Sequence, residues 1–134
     1  MSTVRGLRLY VRPMDSADAS AVAEFYGRNR PETTPTRISG PPAPAWGLLG
    51  KLLGDIVAVV ALEITEDALR VDDIVVAREL RRKWIGRAMM REVEQLAAKF
   101  ERGRVIVDDA GDADEFFRRV GFENEGSQWV RVVS

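Results

Sequence analysis

Apolar and polar positions alternate near the start of the chain. Leu7, Leu9 and Val11 interleave with Arg8, Tyr10 and Arg12, a period of two that predicts a strand with one apolar face, closed by Pro13. The period then lengthens. Ala19, Val22, Ala23 and Tyr26 share one face of a helix that Asp15 or Ser16 can cap, with Gly27 as its expected stop. Two apolar runs, Trp46 to Leu53 and Ile56 to Ile64, are parted by Gly54-Asp55 and predict an antiparallel hairpin. The second run begins IVAVVAL without alternation, so that strand is expected at the centre of a sheet, covered on both faces. Thr65-Glu66-Asp67 makes a turn, and Leu69 to Val76 is the next strand. It carries adjacent acids, Asp72 and Asp73, expected on opposite faces: one with Ile74 and Val76, the other with Val71 and Val75.

The helical period returns at Ile85, Met89, Val93, Leu96 and Phe100, with Gly103 as the expected end. Arg104 to Val107 reads as a short strand closed by Asp108 and Asp109. Asp112 with Glu115 is a capping-box variant for a short helix that turns Phe116, Phe117 and Val120 inward, and Gly121 is its left-handed stop. Phe122 to Glu125 and Trp129 to Val133 close the chain as a hairpin around Gly126-Ser127. Residues 31 to 44 hold five of the six prolines and predict an irregular segment. About 30 residues precede it, too few for a core of their own, so residues 1–134 read as a single domain. The order implies an α/β (α+β) fold: a mixed sheet of six or seven strands with helices on both faces. The strands at 69–76 and 104–107 must run parallel, because the helix between them is a crossover.

Composition narrows the chemistry. The 134 residues include no cysteine and no histidine. Disulfides, thiolate nucleophiles, zinc ribbons and Ser-His-Asp triads are excluded, and no metal site is expected. Acid–base work falls to carboxylates, two tyrosines, lysine, water or the backbone. The net charge of -1 argues against a nucleic-acid partner or a polybasic membrane surface. The run Ile56 to Leu62 is too short to span a membrane, and the first residues lack the apolar core of a signal peptide. A cytoplasmic location is expected, in keeping with the absence of cysteine. GLLGKLLG (Gly47 to Gly54) hints at a phosphate loop. Ala45 stands at the first-glycine position and Leu52 follows Lys51, so it reads as hairpin.

The stretch from Leu69 to Met90 carries the densest signal: a strand, an arginine-rich turn and a helix starting near Gly86. First-turn amides and a partial positive charge suit a pyrophosphate, and Arg81, Arg82, Lys83 and Arg87 add charge around them. Taken alone, those residues also fit a solvated basic turn. The string LRVDDIVVARELRRKWIGRAMMREVE, however, closely resembles the acyl-CoA-binding motif of the GNAT superfamily of N-acyltransferases, with Arg81, Ile85, Gly86, Arg87 and Ala88 in place. Downstream, ADEFFRRVGFENEG resembles a second segment of that family through Ala113, Phe116, Gly121 and Phe122.

The resemblance implies a GNAT-like fold that uses acetyl-CoA as co-substrate, bound where the two parallel strands splay apart. It implies that the backbone of Ile74, Val75 and Val76 holds the pantetheine arm and that amides from Arg82 to Ala88 hold the pyrophosphate. The acceptor would be a primary amine of a small molecule or peptide, and Asp72 the candidate base, acting through water. The acids Glu63, Asp72, Asp73, Asp108 and Asp109 point to a cationic acceptor. Three positions depart from the family pattern: Trp84 replaces the first motif glycine, Phe117 a tyrosine and Ala110 an asparagine. They leave a second reading, a GNAT-fold protein that binds acyl-CoA or a protein partner without turnover. Relatives commonly place two helices between the first and second strands. Here one helix and the proline-rich segment occupy that space, so the acceptor side is expected to be open or completed by a second subunit of a homodimer.

Overall fold

Seven of the ten residues of Asp55–Ile64 are β-branched or alanine; they make the longest described strand, and Val57 through Leu62 are all buried. A strand covered on both faces belongs inside a sheet with layers above and below it. The computed structural model describes residues 2–4, 7–29, 46–80, 84–108 and 114–133. Its strands are β1 (Ser2–Val4), β2 (Leu7–Pro13), β3 (Gly47–Leu52), β4 (Asp55–Ile64), β5 (Leu69–Val76), β6 (Arg104–Val107), β7 (Glu123–Glu125) and β8 (Gln128–Val132). They form one mixed sheet in the order β1-β2-β3-β4-β5-β6-β8-β7. Seven of these are the strands expected from the pattern, and β1 is an addition that pairs antiparallel with β2 at one edge.

The helices are α1 (Ala19–Asn29), α2 (Ile85–Lys99) and α3 (Asp114–Arg119). Both α1 and α2 pack on β4 and β5. β5 and β6 are parallel, as the crossover requires, and every other pairing is antiparallel. The expected irregular segment at 31–44 lies outside the described residues.

Local chemistry moved several boundaries. Asp15 caps a 3-10 turn at Ser16–Asp18 in a reciprocal capping box, and α1 then runs through Gly27 to Asn29. Its buried face is Val22, Phe25, Tyr26 and Asn29, so Ala19 is exposed and Gly27 is no stop. The β3–β4 turn is Leu53-Gly54, with φ of 51° and 88°, one residue earlier than Gly54-Asp55. α2 ends before Gly103. The Glu101 amide donates to Ala98 O and the Arg102 amide to Ala97 O, with Glu101 itself at φ 58°. That is a Schellman stop with glutamate where glycine is usual. α3 ends in the same way on the expected residue. Gly121, at φ 97°, donates to Arg118 O, Phe122 donates to Phe117 O, and the Phe117 and Phe122 rings meet edge-on at 5.3 Å. The first turn expected around Asp112 lies outside the described residues.

Candidate active site

Where β5 leaves β6 the sheet opens. The two strands pair at three positions only: Leu69 with Val105, Arg70 with Ile106 and Val71 with Val107. β6 stops there, while β5 continues to Val76 with β4 along its other edge. Beyond Val71, no strand among the described residues pairs with the β6-side edge of β5. The sequence expectation of a parallel pair parting at its C-terminal end is met.

A bulge marks the point of departure. Ala61 stands opposite Asp73 and Leu62 opposite Val71, so Asp72 is an extra residue in β5. Nothing along the chain signals it, because two adjacent acids look the same with or without one. Downstream the Ala77 amide donates to Val57 O at 2.8 Å, which fixes the alternation. Val75 directs its main-chain groups at β4, and Ile74 and Val76 direct theirs at the open edge. Of the three residues expected to line the pantetheine arm, Val75 is therefore turned away. The Ile74 amide donates to Asp73 Oδ1 at 2.9 Å.

Arg70 collects the acids of this region. Its Nε donates to Asp72 Oδ1 at 3.0 Å, its guanidinium pairs with Glu63 across the β4–β5 ladder, and Asp108 Oδ2 lies 3.7 Å away. Gln128 donates to Asp108 Oδ1 at 2.9 Å from β8. The hydrogen bond to Asp72 raises the Arg70 pKa above its ordinary value, with Glu63 and Asp108 adding to the effect against a smaller cost of burial. Thus Glu63, Asp72 and Asp108 meet around one cation, whereas Asp73 lies apart from Arg70 and Asp109 lies outside the described residues. Arg70 was missed in the sequence. Its spacing of two from Asp72, which puts both on one strand face, was the available signal.

The segment expected to hold the pyrophosphate leads into the start of α2. Trp84 is the N-cap, with φ -92° and no side-chain cap, and it packs against the core. A positive φ is not required there, so tryptophan in place of the motif glycine puts no strain on the backbone. The Ala88 amide donates to Trp84 O at 2.9 Å and is spent on the helix. That corrects the expectation for Ala88: the first-turn amides without an intrahelical acceptor are those of Ile85, Gly86 and Arg87. A Cβ on Gly86 would lie 3.0 Å from the Phe116 ring, so this glycine lets α3 approach α2. Phe117 is 2% exposed, between Phe116 and Phe122, and serves as core. Arg81, Arg82, Lys83 and Ala110 lie outside the described residues.

A second missed residue ties the two sides together. Asn29, the last residue of α1, is 7% exposed. Its amide nitrogen donates to Phe25 O at 2.9 Å and its oxygen accepts from the Arg78 amide at 3.0 Å. It thereby anchors the 3-10 turn at Arg78–Leu80 that follows β5.

The parallel pair thus parts over a bulge, and the first turn of α2 follows the open end of β5. The chain matches the family model described as an acetyltransferase (GNAT) domain over residues 15–132, and it belongs to the GNAT acetyltransferase family. Among solved structures, it resembles the ribosomal-protein-S18-alanine N-acetyltransferase from Escherichia coli, with a TM-score of 0.76 at 14% identity over 95% of each chain. It also resembles a GNAT-family N-acetyltransferase from Escherichia coli in complex with CoA, with a TM-score of 0.74 at 16% identity over 100% of this chain and 86% of that one. A third is a GNAT-family acetyltransferase from Brucella melitensis in complex with acetyl-CoA, with a TM-score of 0.71 at 14% identity over 95% of this chain and 89% of that one. No curated protein matches the chain in sequence. At these identities the likeness is one of fold. No described helix is long and apolar enough to cross a membrane.

Proposed function

We propose that this protein transfers an acetyl group from acetyl-CoA to a primary amine of a small molecule or peptide. The observation that carries the reading is the gap between β5 and β6, followed by a helix start whose Ile85, Gly86 and Arg87 amides have no intrahelical acceptor. Family membership and the CoA-bound relatives support acetyl-CoA as the co-substrate. Bound acetyl-CoA supplies a thioester whose carbonyl carbon an amine attacks. Ile85, Gly86 and Arg87 offer amides to the pyrophosphate, and the Arg81–Lys83 segment and the Arg87 guanidinium add positive charge. The main-chain groups of Ile74 and Val76 line the edge along which the pantetheine arm would lie. Asp72 takes the ammonium proton of the acceptor through water, and Arg70 orients that carboxylate. Three carboxylates around one guanidinium leave a surplus of negative charge, which favours a cationic acceptor. With Phe117 buried and unable to donate, the departing thiolate takes its proton from water.

The test is calorimetry with acetyl-CoA, followed by thioester consumption over a panel of amines. Binding with turnover is the expected result. Asp72→Asn should cut turnover by roughly 10²–10⁴-fold while acetyl-CoA affinity stays within about twofold. No acetyl-CoA binding at millimolar concentration would sink the proposal, and binding without turnover on any amine would replace it with a cofactor-binding role.

A further inference from the structure

Beside α2 lies a basic groove of which the acetyl-transfer site described above uses Arg87 alone. A cavity of about 370 Å³ opens between α2, α3 and β8, lined by Arg87, Arg91, Arg119 and Arg131 with Glu94 as its one acid. Arg87, Arg91 and Glu94 follow at spacings of four and three, so they form one stripe along α2. The charge count of this lining is +3 in a chain whose net charge is -1.

The arginines differ in how they are held. Arg131 Nε lies 2.9 Å from Glu94 Oε1, an ion pair angled off the hydrogen-bond line, and its Nη1 donates to Gly121 O at 3.2 Å. A Cβ on Gly121 would sit 1.8 Å from that Nη1, so the glycine makes room for the guanidinium to lie across the end of α3. Glu94 is therefore committed to the one arginine that is already pinned. Among the described residues, Arg87 and Arg91 enter no ion pair. Arg119 approaches the exposed Glu115 only at 3.8 Å. Among the described residues, then, Arg87 and Arg91 line the groove without an ion pair, and Arg119 lines it with only the long contact to Glu115.

We propose that this groove is a binding site for a phosphate monoester. Such a group carries roughly two negative charges near pH 7 and offers three acceptor oxygens, which matches converging guanidinium forks better than a single carboxylate does. A nucleic-acid strand fits less well, because the lining holds no aromatic face on which a base could stack. Two sources share the chemistry. One is the 3′-phosphate of CoA, which rests on the acetyltransferase reading: Arg91 stands one turn, about 6 Å, along α2 from Arg87 at the expected pyrophosphate. The other is a separate phosphorylated small molecule.

Titrations of acetyl-CoA, acetyl-dephospho-CoA and inorganic phosphate into the wild type, Arg91→Ala/Arg119→Ala and Arg91→Lys/Arg119→Lys separate the outcomes. Both positions are exposed, and thermal melts verify that each variant folds. If CoA supplies the phosphate, the wild type prefers acetyl-CoA over its dephospho form by roughly tenfold or more, the alanine variant loses that preference, and the lysine variant keeps part of it. If a separate ligand is meant, the two CoA forms bind alike and inorganic phosphate binds the wild type but not the alanine variant. Equal affinities for the two CoA forms with no phosphate binding would overturn the groove and leave the acetyltransferase reading standing. Phosphate binding without any acetyl-CoA binding would do the reverse. No binding of any of the three would overturn both.

Discussion

Replacing Gly121 by alanine attacks one turn of chain in two ways that can be separated. The residue sits at φ 97°, beyond the left-handed region that L-residues tolerate, and a side chain there costs roughly 1–2 kcal/mol. The new methyl group would also overlap the Arg131 guanidinium, since its position lies 1.8 Å from Nη1 and 2.9 Å from Cζ. Arg131 can swing away, because the clash is with the far end of a flexible side chain. Doing so gives up its hydrogen bond to Gly121 O, worth about 0.5–1.5 kcal/mol, and part of its pairing with Glu94. The smaller entropy of the unfolded alanine chain returns about 0.4–1 kcal/mol. The expected net loss is about 2 kcal/mol, or roughly 6–10 °C in melting temperature for a domain of this size. Urea denaturation of Gly121→Ala, Arg131→Ala and the double variant supplies the assay. In the Arg131→Ala background the glycine replacement should cost about 1 kcal/mol less, because only the backbone strain remains. A Gly121→Ala variant within about 0.5 kcal/mol of wild type, or strictly additive losses in the double variant, would refute the reasoning.

The opposite substitution should help at the other Schellman stop. Glu101→Gly relieves a side chain held at φ 58° and should stabilise by about 0.5–1 kcal/mol, read as a higher urea midpoint at constant slope. Leu53 is 83% exposed at φ 51° in a two-residue hairpin turn, so Leu53→Asn should also raise stability, by about 0.5–1 kcal/mol, in thermal melts. Asp18 accepts from both Arg12 terminal nitrogens at 2.8 and 2.9 Å and from the Asp15 amide, and Arg12 above all lowers its pKa from 3.8 to about 2. Its folded pKa is depressed, so its contribution is complete above pH 3.8 and fades as the pH falls towards 2. With Arg12 partly in water that contribution is on the order of 1–2 kcal/mol, and Asp18→Asn should remove the dependence from acid-unfolding curves in that window.

The sheet was legible because its strands announce themselves in two independent ways. IVAVVAL could only be a strand covered on both faces, and the helix from Ile85 onward forced β5 and β6 to be parallel. Helix ends were harder wherever a stop was made by a residue other than the expected one. Glu101 makes the stop expected at Gly103, and Gly27 lies within α1, because backbone closure is decided by which carbonyls the next amides can reach. At the site, the string around Gly86 marked where α2 begins. The strand bulge at Asp72, the gathering of three acids on Arg70 and the Asn29 bridge to Arg78 depend on contacts between segments far apart in sequence. Periodicity along one strand cannot reveal which residue of a facing strand it skips.

The edge of the sheet formed by β7 carries a consequence for self-association. Glu123, Asn124 and Glu125 are all exposed, and β7 pairs only with β8 among the described strands. An open edge of this kind is a template for strand addition by a second copy. Two such edges meeting antiparallel about Asn124 would set Glu123 of each copy against Glu125 of the other. Four carboxylates would then crowd a ladder of three residues, and like charges directly opposite one another oppose pairing. The edge thus acts as a guard against antiparallel addition of a second copy in that register.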